Sequence, residues 1–159
     1  MPSLWSSWNR SGADTPGKGF QLTLKVVLDT CVLKLATFPA ADNPSALIVE
    51  LALKRLMELW VTPAILEEYS HVLSDEPEFL SDIFSVAEIC YPLTELGVIR
   101  HEPDNRFLEC ALAVEADFIV SVNTSKGHFD RKQYGTARVA MPGAFLASRT
   151  VERLVCKLK

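Results

Sequence analysis

Three apolar residues in a row, Val26-Val27-Leu28, stop on a carboxylate, Asp29. A strand exposed on one face alternates apolar and polar residues, whereas a run apolar at every position suits a strand covered on both faces. Sheets covered in that way are mostly parallel, with helices returning the chain from strand to strand. In open sheets of this kind the ligand site lies beyond the carboxyl ends of the strands. Asp29 stands at such an end, so one short run constrains the fold and marks a candidate site.

The rest of the chain keeps the same rhythm. Strand one is expected from Leu24 to Asp29, with a helical stretch over Cys31 to Thr37. Asn43-Pro44 and Thr62-Pro63 each pair a capping residue with a proline at the first helical position. The first opens a helix carrying Leu47, Ile48, Leu51 and Leu56, and the second opens one reaching Ser74. Leu59-Trp60-Val61 reads as a second strand, with Trp60 in the core. Helical segments are expected from Glu78 to Leu96, broken at Pro92, then a third strand over Val98 to Arg100. A helix from Pro103 to Glu115 leads to buried strand four, Phe118 to Val122. A short fifth strand covers Arg138 to Met141, and Pro142 begins a last helix. Alternating strands and helices predict a three-layer α/β/α domain with a mostly parallel central sheet. Residues 1–20, rich in Ser, Gly and Pro, read as a flexible extension. Residues 21–150 read as the domain, and residues 151–159 as a basic C-terminal tail.

With 159 residues, 48% of them hydrophobic, the chain suits a single core. Its net charge of -4 gives no bulk attraction to nucleic acid, but that charge is unevenly spread. Ala40 to Val120 carries 16 acidic and 4 basic residues, and Ser121 to Lys159 carries 8 basic and 2 acidic. A basic section beside an acidic body could hold a phosphate backbone next to a metal site, although a solvated acidic helical layer would look the same. Cys31, Cys90, Cys110 and Cys156 are widely spaced, without a Cys/His cluster, which argues against zinc and for a reducing cytoplasmic setting. No stretch reaches the roughly 20 apolar residues of a membrane span.

Helical geometry, at about 100° per residue, sorts the remaining acids. On the Pro63 helix, Ile65, Leu66, Tyr69, Val72 and Leu73 form the apolar face. Glu68 lies about 100° from its centre, at the border, and Glu67 about 160° away, in solvent. On the Pro103 helix, Asp104 falls within about 10° of the centre of the face made by Phe107, Leu108, Ala111 and Leu112. Glu109 and Glu115 point elsewhere. A plain capping role would also explain Asp104. Asp117 begins strand four and belongs at the opposite end of the sheet, where it reads as a turn or capping residue. The useful end of strand four carries Asn123. Asp29, Glu68 and Asp104, with Asn123 beside them, can therefore meet. Clustered carboxylates repel and need a cation. Oxygen donors without Cys or His favour Mg²⁺ or Mn²⁺, and such a site suits hydrolysis of a phosphodiester.

Four motifs carry a resemblance. Val27-Leu28-Asp29-Thr30-Cys31-Val32 resembles the opening motif of PIN domains, a metal-dependent ribonuclease fold. Thr62-Pro63-Ala64-Ile65-Leu66-Glu67-Glu68-Tyr69 resembles their second acidic motif, with Glu68 as the functional glutamate. Pro103-Asp104-Asn105-Arg106-Phe107-Leu108-Glu109-Cys110-Ala111 resembles the third, with Asp104 as its acid. Phe118-Ile119-Val120-Ser121-Val122-Asn123 stands in the place of the fourth, and Met141 to Leu146 also looks family-like. The resemblance runs from Leu24 to Leu146 and is nearest to toxins of toxin–antitoxin pairs, similar to VapC-type ribonucleases. In this sequence Cys31 replaces a common Asn, and Asn123 replaces the common fourth acid.

The resemblance implies a PIN-like, Rossmann-like fold and a Mg²⁺-dependent (or Mn²⁺-dependent) endoribonuclease, the toxin component of a type II system. Asp29 and Asp104 would be the main metal ligands. Glu68 would hold a metal-bound water or act as base toward it, and Asn123 would orient a water or a phosphate oxygen. Lys126, His128, Arg131 and Lys132 follow the site and could grip the RNA backbone. Plain solvent exposure explains the three long cations more simply, and loop packing beside Phe129 explains His128 equally well. A cognate antitoxin and a homodimer are implied by the family. The alternative is a catalytically impaired PIN-like binding module, with Asn123 marking the lost activity. An aspartyl-phosphate phosphatase would need a second Asp two residues after the first, where this chain has Cys31.

Overall fold

A computed structural model describes residues 23–93, 95, 102–124 and 127–159. Its elements run β1 (Lys25–Leu28), α1 (Thr30–Ala36), α2 (Pro44–Leu53), β2 (Glu58–Val61), α3 (Pro63–Val72), α4 (Pro77–Val86) and β3 (Glu88–Ile89). They continue with α5 (Glu102–Val114), β4 (Phe118–Val120), β5 (Gln133–Tyr134), β6 (Ala137–Ala140), α6 (Pro142–Ala147) and α7 (Arg149–Cys156). The strands lie in the order β3-β2-β1-β4-β6-β5. Every pairing is parallel except the β5–β6 edge. The fold is the expected three-layer α/β/α arrangement around a mostly parallel sheet.

Burial explains why the central strands lack alternation. Val26, Val27 and Leu28 of β1 are fully buried, as are Ile119 and Val120 of β4. Both strands sit mid-sheet and are covered on both faces. In β2 the pattern alternates, with Leu59 and Val61 buried. Trp60 is not a fully buried core residue. It is half-buried and packs against the core, and its indole N–H donates to Glu58 Oε1 at 2.9 Å. Phe118 of β4 meets Phe145 of α6 edge-to-face at 5.0 Å, which seats α6 against the sheet.

The two cap-plus-proline signals are realised. The Asn43 side chain accepts from Ala46 N–H at 3.2 Å, and Thr62 Oγ1 accepts from Ile65 N–H at 3.1 Å. Each satisfies an amide that the first helical turn leaves without a partner.

Two expectations change, and others lie outside the described residues. The helix predicted to reach Leu96 ends at Val86, and Glu88–Ile89 form β3 by pairing with Trp60 and Val61. Two residues are too few to show a period, so only the neighbouring strand reveals them. The strand predicted over Val98 to Arg100 lies outside the described residues, as does the N-terminal extension. The segment predicted as a basic tail is mostly α7, whose Val151 is buried in the core. Among the described residues, no helix is long and apolar enough to cross a membrane.

Of the β5–β6 hairpin, β6 is the strand expected over Arg138 to Met141, shifted by one residue, whereas the two-residue β5 was not expected. Tyr134 pairs with Ala137, leaving Gly135 and Thr136 as the two-residue loop. Gly135 has φ +60°, a conformation that costs an L-residue about 1–2 kcal/mol. An added Cβ would also meet Leu112 Cδ2 at 2.8 Å, the end of a side chain that can move. Gly135→Ala is therefore expected to lower stability by about 1–2 kcal/mol in urea unfolding, mostly through the backbone. An unchanged midpoint would show that the turn adopts another conformation.

Candidate active site

The parallel pairing of β1 with β4 places the chain immediately after each strand side by side. Leu28 faces Val120, so Asp29 lies next to Ser121. The Asp29 amide donates to Val120 O at 2.9 Å, which extends the ladder one step past β1. Ser121 Oγ then donates to Asp29 Oδ2 at 2.6 Å and accepts from the Asn123 amide at 2.9 Å. A single buried hydroxyl thus fixes the carboxylate and the loop that follows β4. Asp29 also stands at the N-cap of α1, yet its side chain makes no capping bond. Its carboxylate is aimed at the site, not spent on the helix.

Asp104 approaches from the first turn of α5, on the apolar side the wheel assigned to it. Asp29 is 4% exposed and Asp104 3% exposed. Burial pushes the Asp29 carboxyl above its ordinary value, the Ser121 bond opposes that, and the Asp104 charge raises it further. The two carboxylates therefore share one poorly solvated space. Asp104 is steadied on its other side by His128, whose Nδ1 lies 2.8 Å from Oδ2. His128 reaches it because Phe129 is anchored in the core, its ring 6.3 Å from that of Tyr134 and its amide bonded to Asn123 O at 3.1 Å.

Glu68 comes from α3 and is half-buried, while Glu67 is exposed, as the wheel required. Its Oε2 accepts from the hydroxyl of Thr30, the residue after Asp29. The next residue on α3, Tyr69, is fully buried and donates its hydroxyl to Leu28 O. Burial holds the Tyr69 phenol far above its ordinary value, so it remains a donor. Tyr69 ties α3 to the end of β1, and Glu68 is carried to the site with it.

The predicted acids are therefore brought to one end of the sheet, with Asn123 half-buried beside them. Asp117 sits at the other end, as expected, accepting from the Lys25 amide at 2.9 Å. Glu109, expected to point away from the core, is 8% exposed and pairs with Arg106 at 3.0 Å. Of the candidate RNA contacts, His128 is on Asp104, not free in the loop. Arg131 is exposed and lies 5.5 Å from the Tyr134 ring centre, and Lys132 is exposed. Lys126 lies outside the described residues. Cys31 Sγ contacts Ser121 Oγ at 3.9 Å, and burial beside Asp29 pushes its thiol up to about 11.

Ser121, Thr30 and Tyr69 were not singled out by sequence reasoning. The signal for Ser121 was its register: a polar residue directly after a fully apolar strand, next to the strand that ends in Asp29. Thr30 and Tyr69 carried no separate signal, since each is an ordinary residue for its element.

Among the described residues, no group of three or more His, Cys, Asp and Glu is arranged to hold a metal ion. The donor set still suits a hard cation. Burial and the Asp104 charge both raise the cost of ionising Asp29, and a divalent ion between the two carboxylates would offset it. Mg²⁺ often takes only one or two protein carboxylates and keeps water and phosphate for the rest.

Two outcomes test this geometry. Because the folded state holds the Asp29 proton more tightly than the unfolded chain, this group's stability contribution is present below the unfolded carboxylate pKa. It is lost as pH rises through the folded value. Asp29→Asn is thus expected to melt higher than the parent in EDTA at pH 7, with the gap closing as pH falls toward about 4. A variant that melts lower at pH 7 would mean that Asp29 is stabilised by an unseen partner. Ser121→Ala removes the buried donor to that carboxylate and should cost about 1–3 kcal/mol in urea unfolding. A loss well under 0.5 kcal/mol, about the scale of a neutral surface change, would discount the bond.

Residues 25–125 match the family model described as a PIN domain. No characterised protein matches the chain at a significant level. The matched stretch holds β1 to β4, with Asp29, Glu68, Asp104 and Asn123 all inside it, and it covers more than half of the chain. With the parallel sheet and the acids at its carboxyl edge, this shows that the chain belongs to the PIN domain family, whose members are typically nucleases.

Proposed function

We propose that this protein is a metal-dependent endoribonuclease, hydrolysing RNA phosphodiesters at the site of Asp29, Glu68, Asp104 and Asn123. The observation that carries the reading is the pair of almost fully buried carboxylates, Asp29 and Asp104, at the carboxyl edge of the sheet. Burying two like charges together costs stability, and a fold tolerates it where a cation is to be held.

Asp29 and Asp104 would hold Mg²⁺ or Mn²⁺, with Glu68 completing the acidic wall directly or through water. When bound, the metal supplies a more acidic water and neutralises charge on the phosphate. Glu68 sits where it can take the proton of the attacking water, its other duty being the Thr30 bond that aims it. Ser121 and His128 position Asp29 and Asp104. The Asn123 amide can direct a water or a phosphate oxygen, but brings no charge, so the site is less negative than one with four acids. Arg131 and Lys132, both exposed, are proposed as phosphate contacts together with Lys126.

We extend the reading to the toxin half of a type II toxin–antitoxin pair, acting in the cytoplasm, with a cognate antitoxin and a homodimer as expected partners. Its support is the motif resemblance at residues 27–32, 62–69 and 103–111. The four free cysteines fit a reducing compartment.

The test is cleavage of several RNAs by purified protein with Mg²⁺ or Mn²⁺, against EDTA. Cleavage should require the metal and fall by at least about 10²-fold in Asp29→Asn and Asp104→Asn. His128→Ala, which removes a partner of Asp104, should lose about 10–100-fold and recover partly at higher metal concentration. Well-folded protein that neither cleaves nor gains thermal stability from the metal would instead be a catalytically impaired binding module.

A further inference from the structure

We propose that Cys90 and Cys110 are a peroxide-reactive thiol pair that closes into an intramolecular disulfide. The two sulfurs lie 3.6 Å apart. A disulfide needs about 2.05 Å, so each sulfur has to move by less than about 1 Å, within reach of side-chain rotation. Neither backbone is loose. Cys90 follows β3, and its amide donates to Val61 O at 2.9 Å. Cys110 is fully buried within α5, between Phe107 and Ala111, and α5 rests on β1 and β2. Two regular elements therefore hold the thiols face to face.

Their environments differ in the way such chemistry needs. Cys90 is half-buried and reachable, whereas Cys110 is enclosed. Either thiol can donate in this contact, and donation from Cys110 holds the Cys90 thiol below its ordinary value. The same bond, with burial, pushes Cys110 up. The accessible sulfur is thus the better thiolate, and thiolate character with access selects the site of oxidation. The Cys90 thiolate attacks one oxygen of hydrogen peroxide. The O–O bond breaks, hydroxide leaves, and it takes up the proton that Cys90 released, giving sulfenic acid and water. The Cys110 sulfur then attacks the Cys90 sulfur. The S–O bond breaks, and the departing hydroxide takes the Cys110 proton as a second water. Each sulfur loses one electron and the peroxide gains two.

The bond would close the chain from residue 90 to residue 110, the stretch that includes Asp104, and would tie α5 to the sheet edge. The other two cysteines lack this geometry. Cys31 contacts Ser121, and Cys156 is exposed on α7.

The test uses the full chain carrying Cys156→Ser, which removes the exposed competing thiol. The protein is treated with hydrogen peroxide, remaining thiols are alkylated in denaturant, and the digest is mapped by mass spectrometry. A peptide pair joined through Cys90 and Cys110, short of two hydrogens and restored by dithiothreitol, is the expected result. In Cys110→Ser the reaction should stop at sulfenic acid on Cys90, captured by a dimedone-type probe. Sulfinic acid on Cys90 without a cross-link, or a cross-link through Cys31, would overturn the proposal. The mapping of the Cys156→Ser protein decides the matter even if Cys110→Ser does not fold. Because the readout is mass and not RNA cleavage, its failure is separate from any failure of the nuclease reading.

Discussion

Everything distinctive in this molecule depends on keeping two carboxylates, Asp29 and Asp104, close together and nearly dry. Such a pair is unfavourable by itself, since burial and the neighbouring Asp104 charge both act against ionisation of Asp29. The surroundings offset part of that cost with directed donors. Ser121 Oγ serves Asp29, and the His128 ring serves Asp104. The sheet supplies the rest by rigidity. Val26 to Leu28 and Ile119 to Val120 are locked in a double-covered ladder, so the residues that follow them have little freedom to drift apart.

The same arrangement shows how an α/β sheet turns register into chemistry. Parallel pairing sets Asp29 beside Ser121 without any special loop. Tyr69 then ties α3 to the Leu28 carbonyl, and the adjacent Glu68 is delivered to Thr30. Three elements far apart in sequence meet because each is attached near the end of β1. The loop after β4 is held in turn by its own buried aromatic, Phe129, which brings His128 onto Asp104. A histidine in a loop next to a buried phenylalanine would be unremarkable in isolation; here the packing of one residue aims its neighbour.

The thiol pair lies further along α5 from this chemistry and shares its scaffold. Cys110 lies six positions along the helix from Asp104, and Cys90 extends the strand beside β2. Oxidation would join the acidic helix to the sheet edge by a covalent bond. A link of that kind restrains the unfolded chain more than it alters the folded one.

Local sequence was enough for the fold class, for the two capped prolines and for which of the helix acids turn inward. These rest on short-range physics: an all-apolar run needs cover on both faces, and a helix wheel sorts Asp104 and Glu68 from Glu67 by angle alone. The wheel gives Arg106 as the i,i+3 neighbour of Glu109, but not the burial of Glu109, which depends on what packs around α5. Only tertiary structure decided β3 and β5, which are two residues each and exist through their neighbours' hydrogen bonds. It also decided the roles of Ser121, Thr30 and Tyr69, the His128 contact and the pairing of Cys90 with Cys110. Each of these joins residues distant in sequence, and no periodicity or propensity reports a contact that depends on where two elements come to rest.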